Sequence, residues 1–432
     1  MSSRTFILKN KDILILFLLA LSVRLIYILF FTQFPLMKDD LQYNVIAKNI
    51  LDGRGFSYDS INPTAARGPL YPLFLAATYF IFGYDYNTAR LLHAIIGAVT
   101  CLFVYFIAKK LYSPVIGFYA GLIAGIYPSL IGYTGLLYSE TLAGFLVALT
   151  IVFYLLSAER KSSFQFLITG ISIGLLILCY PKFIFLPIIF GFSGLFFNKF
   201  RKEFLKYFFG LLAGVILILI PWTVRNFNQF GKLIPVATGS GTTLWHSTLP
   251  EDSTEWHFDR EPLLLEFRSY FHDPKSDNEQ NEFLFSVKIN EVLMRKAIVN
   301  IKNNPLLFTR LSVKRFFRQW FASNGNSFYA LRGSVGSYFS GRNYGILLIK
   351  LFLALLQIYI IVFGCIGMVV DFSSKRKNIF SPVFLTIFYA SIMNSIFMTQ
   401  PRYQIPVLGI LFIYTILGSQ RVFSKPLAII NK

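Results

Sequence analysis

Apolar runs recur along the chain and are separated by short polar stretches. Many runs are close to the roughly 20 residues that a helix needs to cross the hydrocarbon core of a bilayer. The predicted spans are residues 13–32, 88–110, 114–130, 138–157, 164–180, 183–198, 207–222, 345–370, 379–398 and 404–420. The pattern therefore predicts an all-α polytopic membrane protein with about ten transmembrane helices.

Basic residues collect in the short stretches between these runs and indicate the orientation. Lys and Arg are enriched in cytoplasmic loops, so each basic cluster is expected inside the cell. The clusters are Lys9/Lys11, Lys109/Lys110, Arg160/Lys161, Lys199–Lys206, Lys375–Lys377 and Arg421/Lys425. The first span has no small-residue cleavage site after it, which is typical of a retained signal anchor. We predict a multi-pass protein of the inner (plasma) membrane with both termini in the cytoplasm.

Two long outer segments divide the chain into three predicted units. Residues 1–225 form an N-terminal transmembrane module, which includes a first outer loop at residues 33–87. Residues 226–343 are predicted to form a small outer (periplasmic) subdomain. Residues 344–432 are predicted to form the C-terminal transmembrane helices.

Both outer segments hold predicted helices. In the first, the apolar stretch from Leu73 to Phe82 is short for a span and has no basic exit, so we expect it along the membrane interface. In the second, residues 281–321 have a helical pattern that Asn304-Pro305 breaks in two. Within the spans, glycines spaced four apart predict close helix packing at Gly117/Gly121/Gly125, Gly170/Gly174 and Gly210/Gly214.

Composition agrees with a membrane protein. Of 432 residues, 55% are hydrophobic and 14% are charged, whereas soluble domains carry about 25% charged residues. The net charge of +20 does not indicate nucleic acid as a partner, because the basic residues fall in loop clusters. Cys101, Cys179 and Cys365 lie inside apolar runs without metal-ligand spacing, so we interpret them as small buried hydrophobic residues.

An acidic pair, Asp39 and Asp40, follows the first span directly. The chain has only 21 acidic residues against 41 basic ones, so two adjacent carboxylates beside a span stand out. We predict that Asp39 and Asp40 form the acid–base centre of a transferase at the outer membrane surface. Tyr43 completes this stretch as a substrate-binding or structural residue.

Isolated polar residues are predicted on the same outer side. Basic residues are unusual there, because Lys and Arg are enriched on the cytoplasmic side of membrane proteins. Each could reach a lipid headgroup, but four of them beside a carboxylate pair favour a bound anionic substrate, since Arg and Lys bind phosphate well. The predicted phosphate-binding residues are Arg67, Lys182, Arg225 and Arg402, with Glu140 and Tyr403 as substrate-binding or structural neighbours.

Arg24 differs from these residues because it lies near the middle of the first span. An ionisable group there should face a partner or a polar cavity, and Glu140 is a candidate partner in either a structural or a catalytic pair. His246 and His257 are eleven residues apart without metal-ligand spacing and are interpreted as ordinary loop residues. No metal site is predicted, and a requirement for a divalent cation is left open.

A carboxylate at the outer face with cations around it suits the transfer of a sugar from a lipid phosphate. The membrane can deliver such a donor to the outer side, and Arg or Lys can stabilise the departing phosphate. One carboxylate would then deprotonate the acceptor as it attacks the anomeric carbon. Attack opposite the leaving group would invert that centre.

The motifs resemble those of a known family. Asp39-Asp40-Leu41-Gln42-Tyr43 resembles the Asp-Glu-x-x-Tyr/Phe first-loop motif of GT-C membrane glycosyltransferases. Arg67–Pro72 resembles the basic-x-Pro-Leu element of the protein O-mannosyltransferase and lipid A aminoarabinose transferase group, which is glycosyltransferase family 39 and its kin. Leu137–Thr141, Pro221–Asn226 and Arg402–Pro406 extend the resemblance.

The resemblance implies a GT-C-like helical bundle with an interfacial helix in the first outer loop. It implies that Asp39 is the catalytic carboxylate and that Arg67 binds the donor phosphate. We predict Asp39 as the base and Asp40 as its support. It also implies a polyprenyl-phosphate-linked sugar as donor, so that the protein would be a hexosyl- or pentosyltransferase acting on a lipid, glycan or protein at the outer face. Asp40 departs from the commoner Glu of the motif.

Two other functions remain open at this point. A lipid-linked sugar flippase or transporter would use Arg24 and Glu140 to line a path, although the sequence lacks paired broken spans in matching halves. A catalytically silent assembly partner would keep the fold without the reaction. The intact Asp39/Asp40 pair favours the enzyme.

Overall fold

The structure is a computed structural model. It describes residues 10–32, 36, 39–196, 203–249, 286–321, 328, 331, 333–373 and 381–423. Its first half holds helices α1 (Asn10–Phe31), α2 (Asp39–Leu51), α3 (Leu70–Phe82), α4 (Tyr86–Leu111), α5 (Pro114–Ile126), α6 (Pro128–Thr134), α7 (Glu140–Arg160), α8 (Ser163–Cys179), α9 (Leu186–Phe196) and α10 (Phe204–Phe230).

The second half holds α11 (Ser240–His246), α12 (Val287–Asn303), α13 (Pro305–Phe321), α14 (Val335–Ser340), α15 (Tyr344–Ser373), α16 (Pro382–Ile396) and α17 (Ile405–Phe423). Two short 3-10 turns, Pro181–Phe183 and Pro401–Gln404, precede α9 and α17. The all-α prediction is confirmed for the described part of the chain.

The multi-pass prediction is also confirmed. Among the described residues, six helical stretches are long and apolar enough to cross a membrane, or up to seven if the bent pair α5 and α6 counts as one span. They are α1, α4, α7, α10, α15 and the stretch Pro401–Phe423 that contains α17. Each of the ten predicted spans coincides with a helix, but α8, α9 and α16 are shorter, so the number of crossings stays a prediction.

The third predicted span is wrong in one respect, because it is broken and not straight. Helix α5 ends at Ile126, and α6 starts at Pro128 after a bend of 53°. Tyr127 between them has an extended backbone with φ −67° and ψ 122°. A residue before proline avoids the helical region for steric reasons, which explains the bend. The bend turns the chain toward the start of α7.

Glycines bring α8 and α10 together. A Cβ atom added to Gly170 would lie 2.0 Å from the carbonyl oxygen of Leu211, and one added to Gly214 would lie 2.2 Å from that of Leu167. The two backbones therefore touch where any larger residue would separate them. The prediction of close packing at these small residues is confirmed.

The predicted interfacial stretch forms α3. One face of α3 is buried, with Tyr71 and Leu75 both at 0% exposure, whereas Phe80 and Ile81 at its end are exposed. Tyr71 packs edge-on against Tyr43 of α2, with ring centroids 4.8 Å apart. This contact joins α3 to the helix that starts with the acidic pair. The position of α3 in the membrane interface stays a prediction.

The outer segment docks onto the transmembrane bundle. The predicted break at Asn304-Pro305 is confirmed, since α12 ends at Asn303 and α13 begins at Pro305. Arg315 of α13 donates from Nε to the carbonyl oxygen of Ser395 at 2.8 Å, just before α16 ends. Helix α10 continues to Phe230, past the predicted unit boundary at residue 225. The division into three units stays a prediction.

Candidate active site

Asp39 lies between two arginines that are far apart in the sequence. Its Oδ1 is 2.7 Å from Nη2 of Arg67, and its Oδ2 is 2.6 Å from Nη1 of Arg402. The side chains are partly exposed, at 17% for Asp39, 21% for Arg67 and 15% for Arg402. One carboxylate thus bridges two guanidinium groups in a site that solvent still reaches.

Three elements bring these side chains together. Asp39 is the first residue of α2, where a carboxylate is favoured by the positive end of the helix dipole. Arg67 follows in the first outer loop, and a Cβ on the next residue, Gly68, would lie 2.4 Å from the carbonyl oxygen of Leu178. Arg402 sits in the 3-10 turn that precedes α17. Gly68 therefore lets the loop press against the end of α8 and holds Arg67 close to Asp39.

The two arginines set the charge state of Asp39. Burial by itself raises the pKa of its carboxyl, but the charges of Arg402 and Arg67 and their hydrogen bonds outweigh burial and hold the pKa well below its ordinary value. Burial likewise lowers the pKa of Arg67, yet the charge of Asp39 raises it above the ordinary value. Asp39 is therefore ionised at any physiological pH in this arrangement.

Glu140 is the second carboxylate of the cluster. It is the first residue of α7, is 3% exposed, and its Oε1 lies 3.7 Å from Nε of Arg402. The preceding Ser139 meets the hydroxyl of Tyr43 at 3.3 Å between their oxygens. Tyr43 also lies under Arg67, whose Cζ is 5.3 Å from the ring centroid. Arg402 is thus shared between Asp39 and Glu140.

Lys182 joins the cluster through Tyr403. Its Nζ lies 3.5 Å from the ring centroid of Tyr403 and donates to Oδ1 of Asn394 at 3.1 Å. Lys182 belongs to the turn between α8 and α9, so it lies outside the helices themselves. Burial and then the nearby charge of Arg402 lower the pKa of Lys182 to about 7. A cation that is readily neutralised therefore borders the arginines.

Arg225 contacts backbone carbonyl groups of the first outer loop. Its guanidinium donates from Nη1 to the carbonyl oxygen of Thr64 at 2.8 Å and from Nη2 to that of Phe56 at 3.3 Å. Its Cζ also lies 4.8 Å from the ring centroid of Trp222. Arg225 thus braces the first outer loop, which carries Arg67, and we remove it from the predicted phosphate site.

Arg24 does not pair with Glu140 as the sequence suggested. Its Nη1 donates to the carbonyl oxygens of Ala20 at 2.9 Å and Gly125 at 2.8 Å, and its Nη2 donates to that of Ala124 at 3.1 Å. These last two carbonyls belong to the end of α5, where the bend leaves them without partners along the helix. Arg24 and Glu140 both line an internal cavity of about 40 Å³, but the partner of Arg24 is the broken helix.

Asp40 is buried at 2% exposure. It interacts electrostatically with Arg90 of α4 and Tyr71 of α3. Arg402 forms ion pairs with Asp39 and Glu140, so Glu140 is the second carboxylate at Arg402. The role of Asp40 as a support for Asp39 stays a prediction.

Several polar neighbours escaped the sequence analysis. Gln42 accepts a hydrogen bond from Nη2 of Arg67, and the Tyr58 hydroxyl accepts one from its Nε at 3.3 Å. Tyr138 lies under Arg402, 5.0 Å from its Cζ. Gln42 lies three residues after Asp39 and so shares its helix face, which was a usable signal. Tyr58 and Tyr138 had no pattern that marked them.

The histidines give a mixed result. His246 ends α11 and is 0% exposed, so it is a buried residue and not an ordinary loop residue as predicted. His257 and His272 lie outside the described residues. His93, buried in α4, meets the Tyr71 hydroxyl with its Nε2 at 3.2 Å.

The cluster does not fit a divalent cation. The two oxygens of Asp39 that such an ion would need are engaged by Arg67 and Arg402, and positive guanidinium groups repel a cation. In the described part of the chain, no group of three or more His, Cys, Asp or Glu side chains could hold a metal ion. We therefore derive no step through a metal.

Comparison with known proteins supports the resemblance seen in the motifs. The family model for dolichyl-phosphate-mannose-protein mannosyltransferases matches residues 66–224, a stretch that contains Arg67, Glu140 and Lys182. No curated protein matches the chain.

The fold is similar to that of the oligosaccharyltransferase AglB from Archaeoglobus fulgidus. In its complex with an inhibitory peptide and a dolichol-phosphate, AglB is 14% identical, and the match covers 96% of this chain and 50% of AglB with a TM-score of 0.57. Its complex with Zn and sulfate is also 14% identical, covering 95% of this chain and 49% of that one at a TM-score of 0.55. This chain thus spans about half the length of AglB.

ArnT from Cupriavidus metallidurans bound to undecaprenyl phosphate is 12% identical, covering 96% of this chain and 78% of that one with a TM-score of 0.42. The family model and the AglB fold together confirm the resemblance to the GT-C superfamily of membrane glycosyltransferases.

Proposed function

We propose that this protein transfers a sugar from a polyprenyl-phosphate donor to an acceptor at the outer face of the membrane. The observation that carries the proposal is the bridge from Arg67 to Asp39 to Arg402 at the ends of membrane helices. A carboxylate that can take a proton and two guanidinium groups that can bind a phosphate are the parts that this reaction needs.

Arg67 and Arg402 would bind the donor phosphate. A guanidinium offers several N–H groups in a fixed plane, which matches the oxygens of a phosphate. Both arginines present N–H groups to one carboxylate, whose oxygens are spaced much like two oxygens of a phosphate. Lys182, joined to Arg402 through Tyr403, would add a third positive charge. The donor would place its prenyl chain among the apolar helices.

The transfer itself needs one proton acceptor. A hydroxyl or amine of the acceptor attacks the anomeric carbon, and the bond from that carbon to the phosphate oxygen breaks. The electron pair of the broken bond stays on the phosphate, where the arginines stabilise it. The proton of the attacking group passes to the carboxylate of Asp39. Attack from the side opposite the phosphate gives inversion.

The ion pairs of Asp39 impose an order on these events. A carboxylate with two arginine partners has a depressed pKa and is a weak base. When the phosphate takes over the N–H groups of Arg67 and Arg402, Asp39 loses both partners and gains a negative neighbour. Both changes raise its pKa. Donor binding would therefore convert Asp39 into a competent base.

Glu140 would hold Arg402 while the phosphate is bound. Its carboxylate is buried and lies 3.7 Å from Nε of Arg402, on a different side of the guanidinium from the Nη1 that meets Asp39. A fixed Arg402 keeps the phosphate in one orientation, which reduces the entropic part of the activation barrier. Asp40, the buried second residue of α2, is assigned a supporting role.

Asp39→Asn tests the proposal. Surface glycans and glycolipids are compared by mass spectrometry in cells with and without the gene, which identifies the sugar that disappears. The variant is then returned to the deletion strain. We expect a loss of transfer of about 10²- to 10⁴-fold, the usual contribution of a catalytic base. Asp52→Asn is the matched control, because Asp52 is an acid of the same outer loop whose ion pair with Arg54 is exposed.

Two outcomes contradict the proposal. Full transfer by an inserted and folded Asp39→Asn protein removes Asp39 as the base. Purified wild-type protein that moves lipid-linked sugar between the leaflets of a vesicle without transferring it to any acceptor favours the transporter.

A further inference from the structure

A buried amide lies beside the turn that carries Arg402. Gln357 of α15 is 2% exposed, and its Nε2 donates to Oε1 of Gln404 at 2.9 Å and to the carbonyl oxygen of Trp320 at 3.1 Å. The hydroxyl of Tyr127 donates to Oε1 of the same amide. Gln404 is the last residue of the 3-10 turn that contains Arg402. One side chain therefore joins four segments of the protein.

The partners of Gln357 come from irregular points of the fold. Trp320 is in the last turn of α13, where carbonyl groups have no acceptor role within the helix. Tyr127 stands at the bend between α5 and α6, and the chain runs from there to Glu140. A buried polar group without a hydrogen bond is unfavourable, so the amide favours the one arrangement that satisfies all these groups.

We propose that Gln357 is a positioning residue that keeps the Arg402 turn aligned with Asp39. It acts through Gln404, two residues after Arg402, and it links that turn to the bend that leads to Glu140. One amide thus connects the Arg402 turn with the segment that leads to Glu140. The inference rests on the proposed function for its consequence in donor binding, but the alignment itself can be measured without the reaction.

The first measurement is the binding of undecaprenyl phosphate to the full chain in lipid nanodiscs. Gln357→Leu keeps the size of the side chain and removes the amide. We expect its affinity to be about three- to tenfold weaker, the factor expected from losing one or two hydrogen bonds between membrane helices. Thr150→Val is the matched control, since Thr150 makes a buried 3.1 Å hydrogen bond to Ser172 between α7 and α8. The control should keep wild-type affinity.

A double-mutant cycle separates positioning from general stability. In an Arg402→Ala background, the substitution Gln357→Leu should weaken binding no further, because the residue that it positions is gone. An equal additional loss in both backgrounds overturns the proposal. Where Gln357→Leu does not purify as a folded protein, Tyr127→Phe removes only the hydroxyl that holds the amide, and the same cycle is made with that variant.

The second measurement uses phenylglyoxal, which modifies arginine side chains, with mass spectrometry of the Arg402 and Arg67 peptides. We expect Gln357→Leu to speed modification of Arg402 several-fold relative to Arg67, whose partners Tyr58 and Gln42 are unaffected. An unchanged ratio overturns the inference. If undecaprenyl phosphate does not bind the wild type but the ratio changes as expected, the proposed function fails and the positioning role stands.

Discussion

The charge balance around Asp39 makes a measurable prediction about its protonation. Arg67→Gln removes one of its two cationic partners, with an Nη2–Oδ1 distance of 2.7 Å, and keeps a side chain of similar length. Two unit charges about 4 Å apart attract by roughly 4 kcal/mol where the effective dielectric constant is near 20. Because both side chains are less than one quarter exposed, solvent removes only part of this energy. We expect the pKa of Asp39 to rise by about 1 to 3 units.

The direction of the change in the pKa of Asp39 follows from its two arginine partners. In the wild type the pKa of Asp39 is depressed, since the charges of Arg402 and Arg67 overcome the opposite effect of burial, so the carboxyl takes up a proton at a lower pH than an ordinary aspartate does. Without Arg67 the same proton binds at higher pH. A hydrophobic carbodiimide reacts with protonated carboxyl groups, and mass spectrometry of the Asp39 peptide gives the extent of reaction at each pH.

The labelling curve of Asp39 should therefore move to higher pH in Arg67→Gln. Adding undecaprenyl phosphate to the wild type should move it in the same direction, because the phosphate draws both guanidinium groups away from the carboxylate. Arg54→Gln is the control, since the exposed Asp52–Arg54 pair at 3.8 Å lies outside the cluster and leaves Asp39 unchanged. Identical curves for the wild type and Arg67→Gln would refute the electrostatic reasoning, whatever the effect on activity.

Three further results are expected. Gly68→Ala should weaken undecaprenyl phosphate binding about tenfold or more, because the added Cβ would lie 2.4 Å from the carbonyl oxygen of Leu178 and displace Arg67. Gly409→Ala is the control and should bind normally, because its Cβ would lie 3.5 Å from Cγ2 of Val104. Wild-type affinity for this lipid should fall as the pH rises through about 7, where Lys182 loses its charge. Lys182→Gln should remove this fall in affinity. If the fall survives in the variant, Lys182 is not a ligand of the phosphate. Asp39→Asn should bind undecaprenyl phosphate about 5- to 100-fold more tightly while it loses transfer, because a neutral amide no longer competes with the phosphate for the two arginines. Weaker binding would contradict the proposal that the phosphate replaces the Asp39 carboxylate at these arginines.

The sequence predicted the helices well because most of them are continuous apolar runs that are separated by short polar stretches. It missed the bend after Ile126, although Pro128 was visible, because an apolar run does not show where a helix changes direction. It could group Asp39, Arg67 and Arg402, since all three are charged residues that the pattern of basic clusters predicts on one side of the membrane. The contacts among them depend on how a helix start, a loop and a 3-10 turn are placed relative to one another, which no pattern in one sequence specifies.

Arg225 shows the limit of that reasoning. It carries the same signal as Arg402, a basic residue at an outer helix end, yet its N–H groups meet the carbonyl oxygens of Thr64 and Phe56. A guanidinium can donate to a carbonyl, a carboxylate or a phosphate, so the residue type alone does not show which of them it meets. Gln357 could not be predicted from the sequence, because a single amide in an apolar run has no periodic signal. Its role depends on its hydrogen bonds to Gln404 and Trp320, which only the structure shows.

A base that is suppressed by its own neighbours has a physical rationale in this site. Two guanidinium groups left facing each other in a partly buried pocket would repel, and each would be poorly hydrated. The carboxylate of Asp39 keeps Arg67 and Arg402 at a spacing that a phosphate can adopt in its place. In the proposed mechanism, donor binding exchanges one anion for another with little rearrangement of the protein, and the same exchange raises the basicity of Asp39. If donor binding and the activation of Asp39 are one equilibrium, as we propose, an acceptor that arrives before the donor meets a carboxylate too weak to take its proton.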